Sequence, residues 1–135
     1  MSNVLTTRWW WLRHAPVRGG DGMVYGWTDL PIEPPTAEEI QAVASALPKD
    51  AAWITSGLRR SCDTAALFAA VHPNAAKAIE ERAFAEMNFG EWEGVQRDEI
   101  LAEEQQEFWS DFVNRGPPGG ESFGDVVSRV VGAVE

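Results

Sequence analysis

Four short segments hold side chains whose types and spacing suit chemistry on an anion. The first is WWWLRHAPV, residues 9–17, where a strongly apolar run ends in Arg13 and His14. A histidine titrates near neutrality and can serve as a nucleophile or a base. The second is SGLRRSCDTA, residues 56–65, which puts Arg59 and Arg60 at the start of a predicted helix. Cations there oppose the helix macrodipole, so the pair is costly unless something anionic sits nearby. A helix N-terminus with guanidinium forks is good phosphate-binding chemistry. The third, FAEMNFGEWEG, residues 84–94, sets Glu86 among apolar and aromatic neighbours. A carboxyl in such surroundings is a candidate proton donor. The fourth, PPGGES, residues 117–122, is a tight turn into a helix start. Each segment alone has a plain structural explanation: a satisfied strand-end histidine, a solvated arginine pair, a surface glutamate, a simple cap.

The elements that must position these residues can be read from periodicity. Residues 4–13 are rich in β-branched and aromatic types and predict a first strand, with at least some of its tryptophans packed under helices. A Gly- and Pro-rich loop follows over 15–35. Thr36 and Glu39 have capping-box spacing, and Ile40, Val43, Ala44 and Leu47 follow helical spacing up to Pro48. Residues 51–55, AAWIT, predict a short buried strand, and a helix follows to about Val71, stopped by His72-Pro73. Residues 77–85 predict a third extended segment. Helix returns over 98–114 with Gly116 as its C′ residue, and a last helix opens near Glu121-Ser122.

Alternating strands and helices indicate a single α/β domain: three layers, a mainly parallel sheet and helices on both faces. Sites in such sheets lie beyond the carboxyl ends of the strands. His14 stands just past the first predicted strand and Ser56 just past the second. The final segment, SFGDVVSRVVGAVE, is apolar without a C-terminal stop, and Val127, Val130, Val131 and Val134 need a covering surface. A further strand is expected, so the chain reads as incomplete at its C-terminus.

Bulk composition narrows the partners. The net charge is −10 with nine arginines and two lysines, which disfavours nucleic acid and anionic membranes. An acidic protein that handles an anion must build a local basic pocket. One cysteine, Cys62, excludes an internal disulfide. Two histidines are too few for a dedicated histidine metal site, and no metal and no cofactor are expected. The apolar run 9–12 is far too short for a signal peptide or a membrane span, and a cytoplasmic protein is expected by default.

Taken together, the four segments resemble the histidine phosphatase superfamily, the phosphoglycerate mutase-like family. Its Arg-His-Gly signature corresponds to Arg13-His14-Ala15, its SPLxRAxxTA element to residues 56–65, and its ExxFGxWEG element to residues 86–94. YGWTDLPI, residues 25–32, and GGES, residues 119–122, match in order. Five ordered motifs over essentially the whole chain make the resemblance specific. It implies that His14 is the nucleophile that carries a phosphohistidine. Arg13 and Arg60 would clamp the phosphoryl oxygens, and Glu86 would protonate the leaving oxygen and then activate water. Tyr25, Gly26, Asn88 and Phe89 would line the substrate entrance, and the substrate would be a small phosphorylated metabolite.

Some positions depart from the pattern. Ala15 replaces a glycine, Gly57 a proline, and Pro16-Val17 the usual polar pair. The family's second histidine, in a His-Gly step after a later strand beside the first, has no counterpart. His72 lies at a helix end before a proline and is expected at the surface. The resemblance therefore implies an impaired phosphatase in this 135-residue chain, or a non-catalytic phosphate-binding or interaction module. Residues 96–116 hold six acidic residues and only Arg97 and Arg115 as bases. That favours a monophosphatase over a mutase, and the motifs are most similar to the α-ribazole-phosphate phosphatase branch.

Overall fold

Each capped helix is set by local chemistry at its start. The structure, a computed structural model, describes residues 4–135. Helix α1 (Ala37–Ala46) opens on the expected capping box: Glu39 N–H donates to Thr36 Oγ1, and the Glu39 carboxylate accepts from Thr36 N–H. Strand β1 (Ile54–Thr55) leads through Gly57 into helix α2 (Arg59–Phe68). Strand β2 (Ile79–Glu80) follows, then a 3-10 turn (Arg82–Phe84). Helix α3 (Ala102–Ser110) and helix α4 (Phe123–Val134) complete the order. Helix α4 also opens on a capping box, between Ser122 and Asp125.

The sheet is parallel, β1 beside β2, with Ile54 opposite Ile79 and Thr55 opposite Glu80. Helix α2 packs against β1 and α1, and α4 packs against the Arg82–Phe84 turn. The α/β class holds, but the sheet is smaller than periodicity suggests. Residues 4–13 are extended without strand pairing, and their backbone makes no hydrogen bonds among the described residues. A strand needs a ladder partner, and no described segment supplies one on either side.

Residues 9–11 are correspondingly open, with Trp9, Trp10 and Trp11 exposed by 39%, 55% and 67% rather than packed under helices. What holds the segment is one face of it. Trp9 and Trp11, two residues apart and so on the same side, stack at 5.7 Å, and each meets the edge of Phe84.

Two other boundaries differ. Residues 98–114 are a 3-10 turn (Arg97–Glu99) followed by the shorter α3, which ends at Asp111, so Gly116 is no C′ residue. Gly116 instead lets the chain pass Glu121, whose carbonyl oxygen a Cβ at residue 116 would strike.

The core has two parts. Val24, Met87, Trp92, Ile100 and Phe108 form one, and Ala44, Phe68 and Ala75 the other. His72 belongs to the second and corrects the expectation of a surface residue: it is 1% exposed. Its ring lies 5.7 Å from that of Trp53, and Nε2–H donates to the Ala44 carbonyl near the end of α1, at 2.9 Å. The sequence rule that places a pre-proline helix end at the surface missed that α2 ends against α1. His72→Ala is expected to lower stability by about 2–4 kcal/mol in urea unfolding, through the lost hydrogen bond and the void under Trp53.

Candidate active site

Arg13, His14, Arg60 and Glu86 line one cavity of about 630 Å³. Residues 7–14, residues 51–56, residues 84–86 and parts of α2 line it, together with Val126 and Val130 of α4. The four residues, read from three separate motifs, therefore share one space. They arrive there on three different segments of the chain.

His14 is fixed through its neighbour. The Ala15 N–H donates to Thr64 Oγ1 at 2.9 Å, and that hydroxyl donates to the Arg60 carbonyl at 2.7 Å. The turn at His14 is thus pinned to α2. The His14 ring bonds the Ala15 carbonyl through Nδ1 at 2.6 Å. A carbonyl only accepts, so Nδ1 carries the proton and Nε2 is left with its lone pair. Burial lowers the His14 pKa; the Ala15 bond opposes this, and the charges of Arg60 and Arg13 add to the lowering. The net direction is downward, which favours the neutral imidazole near pH 7, with Nε2 unprotonated.

Arg60 is 3% exposed, and no carboxylate lies within ion-pair distance of it among the described residues. Its Nη2–H donates to the Gly26 carbonyl at 2.8 Å and Nη1–H to the Thr28 carbonyl at 3.3 Å. The guanidinium also sits 5.3 Å from the centre of the Tyr25 ring. A buried cation held only by neutral groups is poised for an anion. The cost of cations at the start of α2 is partly offset from a distance, because Asp29 accepts from the Arg59 N–H at 2.9 Å. Arg59 itself points outward to Asp63 in an exposed pair.

Gly57, which leads into this helix, has φ +77°. A proline is locked near φ −65°, so this backbone is closed to the proline of the family pattern. The substitution changes the turn as well as the side chain.

The Glu86 loop is held by its backbone. The Glu86 carbonyl accepts from Trp27 Nε1–H at 2.7 Å and from Arg129 Nη2–H at 3.0 Å. Arg129, on α4, also reaches the Ala83 carbonyl and pairs with Glu121 through two nitrogens. Glu121 in turn accepts from the Asn88 N–H at 2.8 Å. Burial raises the Glu121 carboxyl pKa, but the hydrogen bonds from Arg129 and Asn88 outweigh it and bring it below the usual range. Neither Arg129 nor this use of Glu121 is apparent from the motifs. The one signal for it in the sequence is an arginine on a predicted helix seven residues after GGES.

Tyr25, Gly26, Asn88 and Phe89 do not line the cavity. Tyr25 supports Arg60 from beneath. Asn88 shapes its own turn, its Oδ1 accepting from the Gly90 N–H. Phe89 packs on the first core cluster, and Gly26 allows close backbone approach: a Cβ there would collide with the Met87 carbonyl oxygen. Among the described residues, no group of three or more His, Cys, Asp or Glu side chains is gathered as a metal site would need.

Two measurements test this geometry. The folded His14 pKa lies below that of the unfolded chain, so the unfolded state binds more protons as pH falls below about 6.5. NMR titration of the ring should give a midpoint below 6.5, and stability should fall as pH drops through that window. Arg129→Ala should lower stability by about 2–3 kcal/mol in denaturant unfolding, because it removes the ion pair of Glu121, strands the Ala83 carbonyl and takes one of two donors from the Glu86 carbonyl.

The chain is 34% identical over 111 residues to 2,3-bisphosphoglycerate-dependent phosphoglycerate mutase 2 of Gloeobacter violaceus, spanning 77% of this chain and 50% of the mutase. It therefore extends over half of that protein's length. Among solved structures, TTHB049 of Thermus thermophilus superposes with a TM-score of 0.68 at 27% identity, covering 90% of this chain and 68% of that one. A phosphoglycerate mutase from Thermus thermophilus gives 0.69 at 28%, covering 90% and 67%. Mycobacterial glucosyl-3-phosphoglycerate phosphatase Rv2419c shares the fold at TM-score 0.71 and 23% identity, covering 90% and 58%. Residues 9–135 match the model of the histidine phosphatase superfamily (branch 1), and the chain belongs to that superfamily.

Proposed function

We propose that the site hydrolyses phosphomonoesters of small metabolites through a phosphohistidine on His14. The observation that carries this is the buried Arg60 guanidinium, without a carboxylate partner, in one cavity with a neutral His14. In the first step Nε2 of His14 attacks phosphorus while the bond to the leaving oxygen breaks. Glu86 gives its proton to that oxygen. In the second step water attacks phosphorus and loses a proton to the Glu86 carboxylate, the P–N bond breaks, and phosphate and neutral His14 are released. Arg13 and Arg60 offset the charge on the equatorial oxygens, and no metal or other cofactor is assigned to either step. The Ala15 carbonyl keeps the proton on Nδ1 throughout.

Tyr25, Gly26, Asn88 and Phe89 serve the substrate side through the loops they build around Arg60 and Glu86. The acidic composition of residues 96–116 favours a monophosphate, as in the α-ribazole-phosphate type, over a bisphosphate. The similarity to a mutase supports phosphoryl transfer between two hydroxyls as the second reading, with the same first step.

The site is impaired in this 135-residue chain for want of a second histidine. His72 is committed to the other core cluster and cannot serve. The cavity is lined by residues 7–14 and by residues 51–56, with Val126 and Val130 of α4. A further strand entering there would pair with both and could carry a histidine to the phosphate.

The expected result is slow release of phosphate from p-nitrophenyl phosphate by this chain and rapid release by a protein extended with that strand. His14→Ala should abolish activity in the extended protein, and Glu86→Gln should cost about 100-fold or more in kcat on substrates with poor leaving groups. An active His14→Ala variant refutes the nucleophile assignment, and rapid turnover by the 135-residue chain refutes the impairment.

A further inference from the structure

The loop over residues 26–28 is held from two sides by opposite charges, and the peptide units divide the work. On one side lies the carboxylate of Glu93. It accepts from the backbone N–H of Gly26, of Trp27 at 2.8 Å and of Thr28 at 3.0 Å, and from the Thr28 hydroxyl. Three successive N–H groups converging on one anion make a nest, here filled by the protein's own side chain. The same carboxylate accepts from the Phe89 N–H at 3.0 Å, which ties the Glu86 loop to the same point. On the other side lies Arg60, which donates to the carbonyls of Gly26 and Thr28.

We propose that Glu93 is a positioning residue for Arg60: its carboxylate orders the 26–28 loop so that the Gly26 and Thr28 carbonyls hold the guanidinium toward the cavity. The arrangement resolves a conflict. A carboxylate bonded directly to Arg60 would fix it but would also neutralise it and compete with phosphate. Glu93 acts through intervening peptide dipoles and leaves the rest of the guanidinium's N–H groups for an oxyanion. The close approach depends on Gly26, since a Cβ there would also stand 2.7 Å from Glu93 Oε1. Burial pushes the Glu93 carboxyl up in pKa, yet the bonds from Thr28, Trp27, Phe89 and Gly26 bring it below the usual range, so it stays ionised near neutral pH.

This rests on the reading of Arg60 as a phosphate ligand, but the test separates the two. The probe is the arginine guanidinium ¹H–¹⁵N spectrum of the 135-residue chain, with Arg60→Lys to assign the Arg60 signals and inorganic phosphate as ligand. In the wild type, Arg60 should give separate signals of a guanidinium with hindered rotation, and phosphate should shift them. In Glu93→Gln, with circular dichroism unchanged, those signals should merge and phosphate affinity should fall by about tenfold or more. A folded Glu93→Gln chain with an unchanged Arg60 spectrum overturns the proposal.

Thr28→Val removes one donor to Glu93 and is the milder variant if Glu93→Gln does not fold. Partial merging of the Arg60 signals in it supports the proposal, and signals identical to the wild type overturn it. If phosphate leaves the wild-type Arg60 signals unmoved, the phosphate-ligand reading fails in this chain, while the effect of Glu93 on Arg60 is still decided by the unliganded spectra.

Discussion

A guanidinium taken out of water needs compensation, and Arg60 receives it from backbone carbonyls and an aromatic face rather than from a carboxylate. Neutral partners satisfy its hydrogen bonds without cancelling its charge. Much of the surrounding structure can be read as the means to that end. The Gly26 carbonyl must be turned toward α2, so the Trp27 N–H of the same planar peptide unit faces Glu93. The Glu93 carboxylate also fastens Phe89, so the loop that supports Arg60 and the loop that carries Glu86 meet at one anion.

Helix α4 supplies the second anchor. Arg129 reaches from it to the Ala83 and Glu86 carbonyls while paired with Glu121, and Glu121 holds the Asn88 N–H. A backbone carbonyl held by two donors cannot swing, so the Glu86 side chain starts from a fixed root. His14 is secured by a third route, the Thr64 hydroxyl bridging Ala15 and Arg60. Three residues with proposed roles thus depend on three different helices or loops, and none is placed by its own segment alone.

Residues 4–13 show the converse. Their composition is that of a strand, yet they form no ladder, because strand pairing is a property of two segments and not of one. Alternation still acts locally: Trp9 and Trp11 share a face and meet Phe84, while Trp10 makes no aromatic contact with it. The cavity beside them is lined along its length by this unpaired segment.

The features legible in the sequence by itself are those governed by contacts between near neighbours. The Thr36–Glu39 capping box, the starts of α1 and α4, the α/β class and the four candidate residues His14, Arg13, Arg60 and Glu86 belong here, since cap spacing and motif order need no long-range information. The tertiary structure decided what depends on partners distant along the chain. His72 went into the core because α2 ends against the Ala44 carbonyl, 28 residues earlier in sequence. Gly116 serves a close backbone crossing rather than a helix end. Glu93 and Arg129 became central because each gathers groups from loops that folding alone brings together. A hydrogen bond between residues 67 apart, such as Gly26 to Glu93, leaves no periodic trace in either segment.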